Sequence, residues 1–274
     1  MAAAGKYQGL KLMGMRSLFL IVSLGVILVG EPAITPEANM SVRQGSHQLE
    51  AADLEKLARS IAVKVRSHQG FLGSGILIRK QGKIYTVVTN DHVLIAGDPP
   101  YQIETPDGKI YPAQQIQETK KVQPTERVND LGLLQFRSLA NYTIATLGSA
   151  STLAVGESVL AAGFPLMNGG TNPAPNLRGF VSNRGEISWV LDKALEGGYR
   201  IGYTNGIQKG MSGGPLLNVR GEVVAINGMH AEPLWGNPYI YQDGSTPSLS
   251  LREKMSQYSW GIPVETVVQI TNNK

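Results

Sequence analysis

A serine set between glycines opens the chemical reading. Gly210-Met211-Ser212-Gly213-Gly214-Pro215 places Ser212 just ahead of an apolar run. Glycines beside a nucleophile let the backbone turn sharply and present N–H groups inward. The bare G-x-S-x-G pattern also matches the nucleophile elbow of α/β-hydrolases, a fold that needs a helix straight after the serine and then an acid and a histidine. Here Pro215–Asn227 reads as strand, turn, strand, and His230 lies 18 residues beyond Ser212 with Glu222 the only acid between. The elbow reading fails. The other chain order fits: Thr89-Asn90-Asp91-His92-Val93 ends a strand with a histidine, and Asn129-Asp130-Leu131-Gly132-Leu133-Leu134 opens a strand with an aspartate. His92, Asp130 and Ser212 follow one another at gaps of 38 and 82 residues. Singly, each has an ordinary explanation: a turn serine, a half-buried histidine at a strand end, a turn aspartate. Jointly they point to catalysis. Asp91 competes for the acid position, but adjacent side chains on extended backbone point apart.

The other histidines, His47, His68 and His230, stand alone, with neither H-x-H nor H-E-x-x-H spacing, so no metal site and no cofactor is expected. Absence of cysteine removes disulfides, thiolate zinc sites and thiol nucleophiles together. Among 274 residues, 42 % are hydrophobic and 17 % charged, which excludes a disordered tail and a multispan membrane protein. The formal charge of +4 is no sign of nucleic-acid binding. Lys6, Lys11 and Arg16 sit in the first 30 residues without an acid, leaving 22 bases against 21 acids elsewhere.

The elements that must hold the three residues are mostly strands. With 32 Gly and 15 Pro, the chain is rich in turns. Leu49–Ser60 is the one good helix pattern, with Leu49, Ala52, Leu57 and Ile61 at helical spacing. From Ile61 the period changes to two: Ile61–Arg66, Ser74–Arg79, Tyr85–Thr89, Tyr101–Glu104, Lys109–Tyr111 and Leu131–Phe136 read as strands. A second series follows at Glu157–Phe164, Gly179–Trp189, Tyr199–Thr204, Gly214–Val219 and Glu222–Asn227. The pattern predicts two β units of about 90 and 120 residues, sandwich or barrel, divided near Gly148–Thr152, and shows no solenoid-type repeat.

The amino terminus reads as an address. Leu18–Val29 is an apolar run of twelve residues broken only by Ser23 and Gly25, behind three bases. That is a signal segment, short for a membrane-spanning helix of about 20 residues. No A-x-A cleavage site follows, which leaves a retained anchor as the rival. Either way the body is expected to be exported, to the periplasm, the cell envelope or the medium. Glu31–Gln48 reads as a linker.

Through G-S-G-I-L-I (73–78), T-N-D-H-V, N-D-L-G-L-L and G-M-S-G-G-P, the sequence resembles the trypsin-like, chymotrypsin-fold serine peptidases. It is most similar to secreted bacterial members of the HtrA and glutamyl-endopeptidase kind, over residues 60–270. The resemblance implies an all-β fold of two six-stranded antiparallel barrels with the site in the cleft between them. A short helix precedes the first barrel and another closes the chain. Expected boundaries are 1–38 for signal or anchor plus linker start, 39–60 for linker and helix, and 61–147 and 148–274 for the barrels.

It further implies that Ser212 attacks the scissile carbonyl, His92 relays the proton and Asp130 orients the imidazole. Gly210 and Ser212 N–H would form the oxyanion hole, and Gly206, Ile207, Ile226, Asn227 and Gly228 would line the substrate pocket. Protein or peptide substrates follow. Rival readings are a catalytically silent peptide-binding module and an esterase on the same barrels. Two departures stand out. Met211 occupies the place where trypsin has the aspartate that receives a new N-terminal ammonium, so activation by that ion pair is unavailable. Gly206 replaces trypsin's specificity aspartate, so an uncharged residue at P1 is expected, with Lys209 and His230 leaving an acidic one second. HtrA proteins carry a PDZ domain after the protease; with the sequence ending at Lys274, none is expected.

Overall fold

The computed structural model describes residues 48–116, 129–166, 179–231 and 238–272. The run Leu18–Val29 and the linker up to residue 47 lie outside the described residues. Six strands build a first closed antiparallel barrel: β1 (Ala62–Ser67), β2 (Gly70–Gln81), β3 (Ile84–Thr89), β4 (Tyr101–Glu104), β5 (Ile110–Gln115) and β6 (Gly132–Arg137). Their order around the barrel is β1-β2-β3-β6-β5-β4. The second barrel has β7 (Ser158–Gly163), β8 (Val181–Val190), β9 (Ile201–Tyr203), β10 (Pro215–Asn218), β11 (Val223–Met229) and β12 (Ser259–Pro263), in the order β7-β8-β9-β12-β11-β10. The two circuits are the same, strand for strand. The chain thus repeats a topology without repeating a sequence.

Burial on both faces explains why β3 and the middle of β2 are almost continuously apolar. Side chains of one parity point into the barrel: Val63, Val65, Leu77, Tyr85, Val87, Leu134 and Phe136 form its core. Those of the other parity, Ile76, Ile78, Val88 and Leu133, join Leu160, Leu217, Ile226 and Trp260 of the second barrel in a shared cluster. A strand buried on both faces cannot afford the polar positions that would make a period of two obvious.

Helix α1 (Ala51–Ile61) closes this shared core with Leu54, Ala58 and Ile61. The expected stripe was Leu49, Ala52, Leu57 and Ile61. Ala52 instead faces solvent. Leu49 lies before the helix, where its N–H donates to Val219 O at 2.9 Å, so Leu54 sets the helical phase. The short helices α2 (Asp91–Ile95) and α3 (Leu249–Met255) were not legible in the sequence, whereas the expected C-terminal helix is α4 (Val264–Asn272). Among the described residues, no helix is long and apolar enough to cross a membrane.

Candidate active site

His92 does not end a strand. Strand β3 stops at Thr89, and His92 sits in the first turn of α2, one residue after Asp91. Asp91 is buried there, 4 % exposed. On the neighbouring strand, Gly132 leaves room for Leu94 of α2, whose side chain a Cβ would meet at 2.5 Å. Glycine at that position therefore lets α2 lie across β6, bringing His92 over the loop that carries Asp130. The Asn90 side chain donates to Asp130 O at 2.9 Å and ties the same two segments together.

Asp130 grips His92 twice. Its Oδ1 accepts the His92 backbone N–H at 2.8 Å and its Oδ2 meets the ring Nδ1 at 2.6 Å. Burial disfavours the imidazolium, but the Asp130 charge and hydrogen bond outweigh it and hold the His92 pKa above the ordinary 6.5. His230 moves the other way, lowered by burial and then by the charges of His92 and Lys209. It remains the more easily neutral of the two.

Ser212 lies at the turn before β10, 7 % exposed, and its Oγ donates to Gly228 O at 3.2 Å. The turn needs its glycines. Gly210 has φ +94° and a Cβ there would meet Phe164 O at 2.6 Å; Gly213 has φ +84° and a Cβ would strike the Ser74 carbonyl. No larger residue fits either backbone. Met211 is fully buried in the second-barrel core with Ile207, Leu216 and Ala161. The loop is also held from the first barrel by Ser74 of β2. Ser74 Oγ donates to Gly210 O at 2.7 Å and accepts from Phe164 N–H at 2.9 Å, and Ser74 N–H donates to Ser212 O at 2.9 Å. The N–H groups of Gly210 and Ser212 have no hydrogen-bond partner among the described residues.

The expected pocket residues divide. Gly206 is exposed with open space around it, and its carbonyl accepts the Asn183 amide at 2.7 Å. Ile207 is 6 % exposed and Ile226 fully buried, both packed in barrel cores. The Asn227 side chain points into the second barrel. It is fully buried, donating to Ala162 O and Pro215 O, both at 3.1 Å, and accepting the Tyr203 hydroxyl at 2.9 Å. Those bonds tie β11 to β10 beside it and to β7 and β9 across the barrel, and use every polar atom of the amide. Gly228 is packed against the Tyr199 ring. Two residues escaped the sequence reading altogether: Ser74, visible only as the middle of G-S-G, and Tyr199, whose hydroxyl donates to Asp130 Oδ2. Among the described residues, no three His, Cys, Asp or Glu side chains are grouped to hold a metal ion.

A His–Asp pair on one closed barrel, and a serine in a glycine turn on a second barrel of the same circuit, define the chymotrypsin-type serine peptidase architecture. The family model for the trypsin-like peptidase domain matches residues 73–226. The chain belongs to that family and is of its HtrA type. It is 30 % identical over 203 residues to the mitochondrial serine protease HTRA2 of Drosophila grimshawi, covering 73 % of this chain and 44 % of that protein. It is 31 % identical over 205 residues to HTRA2 of Drosophila erecta, with the same coverage of 73 % and 44 %. The chain thus spans less than half the length of the curated relatives it matches.

Proposed function

We propose that this protein is an exported serine endopeptidase that hydrolyses peptide bonds through Ser212, His92, Asp130 and an acyl-enzyme. The observation that carries the reading is the two-point grip of Asp130 on His92, with Nδ1 at 2.6 Å, on a first barrel whose Ser74 also holds the Ser212 loop. An imidazole fixed by Nδ1 presents Nε2 as the free base. Ser212 Oγ gives its proton to Nε2 and bonds the scissile carbonyl carbon, whose oxygen takes up the negative charge. His92 then returns the proton to the leaving amine as the C–N bond breaks. Water repeats the sequence on the ester to free the acid and Ser212. Ser212 Oγ donates to Gly228 O at 3.2 Å, a long bond for a hydroxyl, and the proposed step requires it to turn from that carbonyl to His92 Nε2.

Gly210 and Ser212 N–H groups are the proposed oxyanion donors, each worth about 3 kcal/mol at the transition state. An uncharged P1 side chain is favoured by the absence of a carboxylate at Gly206. Export rests on the basic and apolar N-terminal segment alone.

A fluorophosphonate probe tests the core of the proposal. It is expected to label the wild-type chain at Ser212 and to leave Ser212→Ala unlabelled. A wild-type chain that resists the probe would favour a silent peptide-binding module. Turnover of matched peptide and ester substrates separates the endopeptidase from an esterase.

A further inference from the structure

We propose that Tyr199 is the positioning residue of the triad carboxylate, a hydroxyl from the second barrel fastened to the very Asp130 oxygen that faces the His92 ring. The inference rests on reading His92, Asp130 and Ser212 as a triad.

Four observations carry it. Tyr199 is 7 % exposed and its hydroxyl donates to Asp130 Oδ2, while His92 Nδ1 lies 2.6 Å from that same atom. The segment before it, the 3-10 turn Glu196–Gly198, is shaped for the contact: Asp130 N–H donates to Gly197 O at 2.8 Å. Gly197 takes φ +76°, and a Cβ on it would press on the Asp130 Cβ at 3.2 Å. The tyrosine ring also fills the space left by the missing side chain of Gly228, whose carbonyl accepts from Ser212. One phenol therefore touches both the acid of the first barrel and the strand segment that holds the nucleophile of the second. Asn227, which precedes Gly228, is spent on Tyr203 and two carbonyls and is not free for this task.

Burial, the Asp130 charge and the hydrogen bond hold Tyr199 far above the usual phenol pKa, so it remains a neutral donor. A donor on Oδ2 draws charge from the carboxylate and weakens its pull on a protonated imidazole. Tyr199 thus fixes the carboxylate and at the same time moderates the basicity of His92. Other titratable groups near the pair are His230, which acts on His92, Asp91 beside it in α2, Lys209 beside His230, and Tyr203 behind Tyr199.

The test compares Tyr199→Phe with a chain carrying 3-fluorotyrosine at position 199. The phenylalanine removes the donor; the fluorophenol keeps the shape and donates more strongly. The His92 pKa is read by NMR titration in the Ser212→Ala background, which needs no turnover, and kcat and KM are read with Ser212 intact. Tyr199→Phe is expected to raise the His92 pKa by about half a pH unit or more, and fluorotyrosine to lower it. Loss of the donor is expected to reduce kcat about three- to thirtyfold with KM within about twofold. A purely structural tyrosine would not move the titration in opposite directions for the two replacements. Titrations that coincide with the parent's, or that shift together, overturn the proposal. An inactive parent in which the opposed shifts persist would defeat the peptidase reading and leave the Tyr199–Asp130 coupling standing. Should Tyr199→Phe fail to fold, the fluorotyrosine shift alone decides.

Discussion

Ser74→Ala is the sharpest test of how the loop 206–212, proposed to carry the oxyanion donors, is ordered without an activating ion pair. Met211 offers no charge to an N-terminal ammonium, and it is fully buried among apolar neighbours. Ser74, which is fully buried, ties the loop to the first barrel with its side chain and its backbone N–H. Replacement by alanine strands the Gly210 carbonyl, now bonded at 2.7 Å, and the Phe164 N–H, now bonded at 2.9 Å. Gly163 lies directly against the hydroxyl, where a Cβ would stand 2.9 Å from Ser74 Oγ.

Each stranded buried group costs about 1–3 kcal/mol, so a destabilisation of roughly 2–4 kcal/mol is expected once partial relaxation is allowed. For a chain of this size that lowers the melting temperature by about 5–15 °C. The substitution removes one oxygen atom and opens no cavity of consequence, so the loss is polar in origin. The catalytic consequence follows from the same bond. Gly210 O and Gly210 N–H belong to peptide groups on either side of one residue, and freeing the carbonyl lets the N–H drift from its aim. A kcat loss of about ten- to a hundredfold is expected, approaching the cost of a missing oxyanion donor, with KM little changed. Thermal melts, kcat and KM on a peptide ester, and affinity for a peptide boronate together read both effects. Affinity for the boronate should fall with kcat, since both report the tetrahedral geometry. A Ser74→Ala chain that melts with the parent and keeps its kcat would refute the assignment.

Further expectations concern the same parts. Ser212→Ala, His92→Ala and Asp130→Asn should each remove activity by several orders of magnitude, and double replacements should lose little more, as for parts acting as a unit; additive losses in kcat would contradict this. The raised His92 pKa places the acid limb of kcat/KM above 6.5, because only the neutral imidazole serves as base. Its contribution to stability has the opposite sign: it is fully present below 6.5, where the imidazolium gains from Asp130, and is lost as pH rises through the folded-state value. Activity should therefore rise over a pH range in which this part of the stability declines, measurable by parallel rate and urea-melt profiles. Chains beginning at residue 40, 45 or 48 should be equally active, since Leu49 and α1 remain and no particular N-terminal ammonium is needed; a strong dependence on the first residue would count against it. Leu54→Ala, in the helix stripe that spans both barrels, should cost about 2–5 kcal/mol by chemical denaturation.

Much of the architecture was legible in the chain because it depends on local rules. Period-two runs such as Ile61–Arg66 mark strands, turn residues divide them, and Leu49–Ser60 reads as a helix, although its buried stripe is Leu54, Ala58 and Ile61 and not Leu49, Ala52, Leu57 and Ile61. What was misread has an equally local cause. The helix Asp91–Ile95 is too short to show a 3.6-residue period, so Thr89-Asn90-Asp91-His92-Val93 reads as the end of the strand before it. Strand β12 is buried at every position, Ser259–Pro263, and shows no alternation to detect. Asn227 lay beside the expected pocket in sequence, yet its amide is consumed by Tyr203 and two carbonyls inside the barrel.

The sequence by itself determined the chemistry on offer: a serine among glycines, a histidine and an aspartate in one order at specific gaps, with no thiol to compete. Strand spacing determined two β units, and the motifs that mark the family pointed to two barrels. Only the tertiary structure decided how these parts are held. Ser74 meets Gly210 across 136 residues and Tyr199 meets Asp130 across 69, each bond passing from one barrel to the other. Neither partner leaves a mark in its own neighbourhood, because a hydrogen bond between barrels constrains a distance in space and no period along the chain. The same holds for Ile76, Val88 and Leu133, whose burial on the outer face of the first barrel exists only because the second barrel covers it.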